Sequence, residues 1–322
     1  MRSSILDRIL PSALIPVPVA LNQDMKAVVV RDGVILGYIS HVLRSRGPAI
    51  LRAARKTGGS VASIESSKLF SFRIPVPPIE IQREIVKVLD TFTELEAELE
   101  AELEARRRQY QYYRDALLAF PDQDVPWAAM AEVGEFIRGR RFTKADYVED
   151  GIACIHYGDI YTQYGTAATE TVSHVRSDMA SILRFAKPGD LVIAGVGETV
   201  EDVGKAVAWL GEGDVAIHDD CFAFRHSLNP KFVSYYFQTS AFHAEKNKFV
   251  ARAKVKRLSG ESVGKLAIPV PPLEEQERIV AILDRFDTLV NDISIGLPAE
   301  IKARRQQYEH YRDRLLTFQE AA

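Results

Sequence analysis

The sequence predicts an α+β protein in which globular domains of mixed helix and strand are set apart by two long coiled-coil helices. Three observations carry that expectation: a block of residues that returns about 200 positions later, a proline-rich motif heading each block, and an apolar helical seam behind each motif. "IPVPPIEIQREIVKVLDTF", Ile74 to Phe92, recurs as "IPVPPLEEQERIVAILDRF", Ile268 to Phe286, at an offset of 194. "EARRRQYQYYRDALLAF", Glu104 to Phe120, recurs as "KARRQQYEHYRDRLLTF", Lys302 to Phe318, at an offset of 198, so the second copy carries four extra residues between the blocks. A period of this length belongs to a duplicated domain and not to a solenoid.

The likeness extends upstream of each proline motif. "YISHVL", Tyr38 to Leu43, aligns with "FVSYYF", Phe232 to Phe237, and "SVASI", Ser60 to Ile64, aligns with "KVKRL", Lys254 to Leu258, both at offset 194. "NQDMKA", Asn22 to Ala27, answers "HDDCFA", His218 to Ala223, at offset 196. Nothing before Asn22 answers Trp127 to Ile217, so the first domain is expected to be a truncated version of the second. The boundaries that follow are a truncated domain over 1–73, a first helix over 74–120, a complete domain over 121–267 and a second helix over 268–322.

Each element has a local reason. Pro75, Pro77 and Pro78 fix the backbone as an extended segment without ladder donors, so each "IPVPP" reads as a rigid exit from a domain into a helix. Behind it, Ile81, Ile85, Val88, Phe92, Leu95, Leu99, Leu103, Tyr110, Tyr113 and Leu117 recur three and four apart, the spacing of a helical seam from Ile79 to Ala119. In the second copy Ile279, Leu283, Phe286 and Leu289 are followed by Gly296 and Pro298, which predict two helical pieces joined at "GLP". "LEAELEAELEAR", Leu95 to Arg106, repeats a tetrapeptide of strong helix formers. Each unit adds about 6 Å of helix, so the segment can serve as a ruler. Between the helices, short apolar runs such as "DLVIAGV", Asp190 to Val196, alternate with turn signals, and one amphipathic helix is expected near Lys231 to Val250.

Composition excludes several classes. Two cysteines, Cys154 and Cys221, cannot build a disulfide framework and fit a reducing compartment. No apolar run approaches the roughly 18 residues of a membrane span, and Asp7 and the prolines near the start break up any signal-peptide pattern. A cytoplasmic protein is expected. The net charge of −3 hides a segregation. Nine Lys or Arg lie between Arg225 and Ala267 against Glu245 and Glu261, and eleven lie before Ile74 against four acids, while Glu94 to Glu104 alternate along the first helix. Basic domains on an acidic stalk suit contact with phosphates by the domains alone.

Taken together, the two "IPVPP(I/L)xxQ" exits, the two "ARRxQYxxYRDxLL" helix ends, the tetrapeptide repeat, "PWAAMAEVGEFIRGRRFTK" (Pro126 to Lys144), "GETVEDVGKAVAW" (Gly197 to Trp209) and "AIHDDC" (Ala216 to Cys221) resemble the specificity subunits of Type I restriction-modification systems. The resemblance covers nearly everything from Asn22 to Phe318. It implies α/β target recognition domains, one truncated and one complete, separated by two long antiparallel helices. It further implies sequence-specific binding of double-stranded DNA at a split site, docking of two methyltransferase subunits, and association through them with restriction and translocase subunits. No membrane, cofactor or metal is implied. The departure from the family pattern is the first domain, which leaves open a second role as a regulatory decoy that sequesters methyltransferase subunits.

Catalysis is not expected from this chain. Neither Pro-Pro pair sits in an adenine-methyltransferase "(N/D)PPY" motif, and there is no phosphate-cradling P-loop. "GVGET", Gly195 to Thr199, reads as a turn. Cys154 with His156 and His218 with Cys221 stand two and three apart, which departs from common zinc spacings, so buried structural roles are expected. For DNA contact the choices are Arg138, Arg140, Arg141 and Lys144 near the start of the complete domain, and Lys246, Lys248, Arg252, Lys254, Lys256 and Arg257 near its end. The fork of Arg138, Arg140, Arg141 and Arg252 suits guanine, the lysines suit phosphate, and Tyr157, Tyr161 and Tyr164 are candidates for base contact. Tyr110, Tyr113, Tyr308 and Tyr311, at the ends of the helices, are the expected methyltransferase dock.

Overall fold

Strong helix formers with a three-four apolar spacing run without interruption from Ile79, and in the computed structural model they form one 39-residue helix, Ile79–Leu117. The structure describes residues 9–56, 63–121, 125–251 and 255–318. The chain divides into two units, 1–104 with 290–322, and 105–289, and the long helix contributes to both.

The first unit is helical. Leu36–Ala54, Ser66–Phe70, the leading part of Ile79–Leu117 and Leu297–Leu315 make it up, and among its described residues the only β feature is a bridge between Arg55 and Ile64. Tyr38, Ile39, Val42, Ile85, Leu89 and Leu316 form its core, with Tyr308 and Leu315 packed against them. Helix Leu297–Leu315 starts at "GLP" as expected, with Pro in its first turn, where a missing N–H costs nothing.

The second unit holds two five-stranded sheets. One runs in the order Gly134–Arg138, Cys221–His226, Leu191–Ala194, Ala206–Trp209, Ala167–Ala168. It is antiparallel except for its last pair. The other is ordered Tyr147–Val148, Ser173–Val175, Ile152–Ile155, Val215–Ile217, Phe185–Ala186. Their apolar residues build two buried clusters, one around Ile155, Val192, Val207 and Ile217, the other around Phe142, Val175 and Met179.

Two local expectations change. The single helix near Lys231 to Val250 is two, Pro230–Tyr236 and Ser240–Lys246. Thr239 causes the break: its hydroxyl accepts from the Phe242 N–H and caps a new helix where one would otherwise continue. The second "IPVPP" is also not wholly without pairing, since Ala267–Pro269 lies antiparallel to Trp127–Ala129. That two-stranded ribbon tolerates Pro269 because a strand edge need not donate there.

Candidate nucleic-acid interface and helix clasps

The prolines of each exit motif leave carbonyls with no local donor, and one glutamine in each copy supplies it. Gln82 is fully buried; its Nε2 donates to the Pro77 carbonyl at 2.8 Å and to that of Gly33 at 3.0 Å, while its Oε1 accepts from the Ile35 N–H at 2.9 Å. In the second unit Gln276 repeats this 194 positions on, donating to Pro271 at 2.8 Å and accepting from Asn229 N–H at 2.8 Å. Within the motif alone nothing assigns this glutamine a role. Its presence at the same place in both copies was the available signal.

The aromatic residues of the "ARRxQY" ends are paired the same way. In the first unit Tyr311 stacks on Phe92 at 5.5 Å, and Arg312 lies over Tyr308 at 5.5 Å. In the second, Tyr113 stacks on Phe286 at 5.5 Å, and Arg114 lies over Tyr110 at 5.6 Å. Each end segment therefore closes on a helix from the other copy of the repeat. An aspartate completes each clasp. Asp90 is 2.8 Å from His41 Nε2, whose Nδ1 is 3.2 Å from the Tyr308 hydroxyl. Asp284 accepts from Tyr235 at 2.6 Å and from Lys231 Nζ at 2.6 Å. The expectation that Tyr110 forms a docking surface is corrected: it is buried, its hydroxyl reaches Asp287, and burial raises its pKa. Tyr308 is half-buried within its clasp, whereas Tyr113, Tyr311 and especially Tyr112 retain exposed ring surface.

At one end of the first sheet, four segments are laced together by backbone bonds. Gly195 N–H donates to Asp220 at 2.8 Å, Leu258 N–H to Gly195 at 2.9 Å, Gly139 N–H to Cys221 at 3.0 Å and Arg140 N–H to Ile217 at 3.0 Å. This brings Arg138, Arg140, Lys256 and Arg257 to one end of one sheet although they come from opposite ends of the domain sequence. Arg138, Arg140, Arg141 and Lys144 are exposed, and none of these four forms an ion pair among the described residues. Arg138 Nε donates to the Asp219 carbonyl at 2.9 Å, and an Arg257 amino group stands 3.5 Å from Asp220. Arg184, overlooked in the sequence because no other basic residue stands beside it, is exposed and donates to the Arg138 carbonyl at 3.2 Å.

Not every expected DNA contact belongs to this end. Lys246 is fully buried, and its ammonium donates to the carbonyls of Val203, Val200 and Glu201. It is thus removed from the phosphate-binding set. Lys248 is exposed but paired with Glu245 at 2.6 Å. Arg252 and Lys254 lie outside the described residues. The tyrosines turn inward: Tyr161 donates to the Val196 carbonyl at 2.5 Å, Tyr164 accepts from Val172 N–H at 3.0 Å, and both pack with Tyr157 on the buried cluster. "GVGET" is half strand, since Val196–Gly197 pairs with Lys256–Arg257.

Of the cysteine and histidine pairs, Cys154, Cys221 and His218 are buried and His156 is half-buried. Burial pushes the Cys154 thiol up to about 12 and raises that of Cys221 too, so burial holds both in the thiol form. His218 and the carboxylates of Asp219 and Asp220 have ligand atoms within 4.8 Å of one another. The His218 nitrogens are already engaged, Nδ1 by the Asp220 N–H and Nε2 by the Phe142 carbonyl, so the ring has no lone pair left for an ion.

With this geometry in place, comparison with known proteins is informative. A family model described as "Type I restriction modification DNA specificity domain" matches residues 7–105 and 125–303. The chain is 58% identical over 129 residues to the type I restriction enzyme EcoR124I/EcoR124II specificity subunit of Escherichia coli, a match that takes in 39% of this chain and 32% of that protein. It is 30% identical over 278 residues to a protein of Haemophilus influenzae provisionally named a type I restriction enzyme specificity subunit, across 81% of this chain and 68% of the other. The EcoR124I/EcoR124II match thus spans about a third of that relative's length. Among solved structures, a chain from work on complex assembly and conformational transition of the type I R-M system superposes with a TM-score of 0.62 at 20% identity, over 87% of this chain and 70% of that one. At that identity the likeness concerns the fold. Among the described residues no helix is long and apolar enough to cross a membrane.

Proposed function

We propose, from the premise that this chain belongs to the Type I restriction modification DNA specificity family, that it is a DNA-recognition subunit: it reads a split site in double-stranded DNA and carries methyltransferase subunits, two of them, and through these the restriction and translocase subunits, to that site. It supplies no chemistry of its own and works in the cytoplasm. The observation that carries the reading is the gathering of Arg138, Arg140, Lys256 and Arg257 at one end of a rigid sheet, with Arg141 and Lys144 following. Forked guanidinium groups suit guanine edges and flanking lysines suit phosphates. The clasps support the docking half of the proposal, because they hold both helix ends in fixed registers from which Tyr112, Tyr113 and Tyr311 project. The decoy reading finds no support in the relatives described above.

The test is salt dependence. With Lys144, Lys256 and Arg257 all changed to Glu, binding should weaken on every duplex, and the slope of log affinity against log salt should shrink by about three, at about 0.9 per lost phosphate contact. An unchanged slope would place DNA elsewhere on the molecule. Co-expression with the methyltransferase, followed by sequencing of modified bases, should give a bipartite motif.

A further inference from the structure

Lys246 is an expensive way to hold a loop. A buried ammonium is tolerated only when its hydrogen bonds are all made, and here three N–H donors meet three carbonyls, Val203 at 2.6 Å, Val200 at 2.8 Å and Glu201 at 3.2 Å. Burial lowers its pKa to about 8, with Glu201 and Asp202 opposing the shift. The loop so held, 198–203, is framed by two glycines that its path requires. Gly204 has φ +88°, and a Cβ there would come within 2.8 Å of the Lys246 side chain. A Cβ on Gly197 would come within 2.9 Å of Val203 N. Inside the loop Thr199 Oγ donates to the Asp202 carboxylate at 2.6 Å. Glu198 and Glu201 remain exposed, and among the described residues neither carboxylate accepts a hydrogen bond.

The position of these two acids is what gives them meaning. The loop leaves the sheet directly after Gly197, which is register-paired with Lys256, while Val196 is paired with Arg257. Free carboxylates beside a polyanion-binding edge repel phosphates. They are productive in such a place when they face base edges, where the exocyclic amino groups of cytosine and adenine donate to them. Such readout needs the carboxylates fixed in space, and an exposed six-residue loop is fixed only by what lies beneath it.

We propose that Glu198 and Glu201 are base-reading residues for exocyclic amino groups of double-stranded DNA, and that Lys246 is the positioning residue that holds their loop through the carbonyls of Val200, Glu201 and Val203. This rests on the DNA-recognition reading above. The experiment is selection of bound sequences from a pool of randomised duplexes by the full chain, with Glu198→Gln, Glu201→Gln and Lys246→Met as variants and a salt titration on each. Failure of the wild-type chain to select any sequence would sink the DNA reading itself. Given wild-type selection, at least one glutamine variant should lose discrimination at a single base pair of the motif by roughly 5- to 150-fold, with the other positions and the salt slope unchanged. Lys246→Met should relax that same position. Where Lys246→Met does not fold, the surface glutamine variants decide alone. Unaltered motifs in both glutamine variants, or a loss in Lys246→Met spread evenly over all positions, overturns the proposal.

Discussion

The two units are built on one scaffold and differ in what hangs from it. In both, a buried glutamine satisfies the proline exit, an aspartate holds the preceding helix, and an aromatic stack beside a second tyrosine, itself covered by an arginine, closes the clasp. The second unit adds two sheets and a sheet end rich in arginine, while the first has no strand among its described residues. Even the shared parts diverge: where the second unit uses Tyr235 against Asp284, the first uses His41 against Asp90, so a neutral phenol is replaced by a titrating ring. The difference teaches that duplication preserved the backbone problem, which is how to satisfy a proline-rich exit, more strictly than the side chain chosen for the helix contact.

The sharpest way to break this comparison is at the glutamines. Gln82→Leu and Gln276→Leu keep volume but take away the partners of backbone groups that are part-buried or, at Pro271, buried, and a buried group left unsatisfied costs about 1–3 kcal/mol. Gln82 serves three part-buried groups, and Gln276 serves two, of which the Pro271 carbonyl is buried, so both variants should be destabilised by about 2–5 kcal/mol. Amide exchange at Ile35 in the one and Asn229 in the other reports the loss. Protection left intact in either would mean that the glutamine is incidental to the clasp.

Acid provides the next contrast. In the second unit His226 has its pKa lowered by burial to about 4, and His243 likewise, and His156 is lowered as well, while in the first unit the lowered histidine is His41. As pH falls below about 6.5 the unfolded chain takes up the His226 proton first, so stability is lost on the way down to about 4 and is flat outside that window. The full loss from His226 is about 3 kcal/mol, from about 1.4 kcal/mol per pKa unit. Near-ultraviolet melting of the full chain between pH 7 and 4 should show this slope, and His226→Phe, which keeps an aromatic ring beside Phe224, should reduce it by the His226 share, leaving that of His243 and the other lowered histidines. An equal slope in that variant would assign the acid sensitivity to other groups.

How much of this was legible follows from range. The helices, their break at "GLP" and the duplication are visible because periodicity and repetition are local or self-referential. The sheets were legible only as α+β texture, since many strands are two to four residues long and their partners stand tens of residues away. Thr239 shows why one helix became two: a cap can act inside an apolar pattern that by itself continues. Lys246 shows the limit for sites. In sequence it belongs to the same basic run as Lys256 and Arg257, and only the fold, which carries the loop 200–203 over it, separates a structural ammonium from exposed ones.

The smallest expected effect concerns the acidic repeat. In the first unit Arg305 forks to Glu96 and Glu100 of the "LEAE" helix. The offset of 198 places Arg107 at the corresponding position in the first copy, but Val290 and Ser294 stand where the offset of 194 would put partners for it. The ion pair is therefore an addition of one unit and not part of the shared scaffold. Arg305 is about half-exposed, so such a pair is worth at most about 1 kcal/mol and is screened by salt. Arg305→Ala should lower stability by roughly 0.3–1 kcal/mol at low salt, and the deficit should shrink towards zero in 0.5 M salt. Arg107→Ala, with no matching acids, should show no salt-dependent change. Denaturant titration at two salt concentrations separates the two variants, and an equal, salt-insensitive loss in both would mean that Arg305 acts through packing of its stem and not through the glutamates of the repeat.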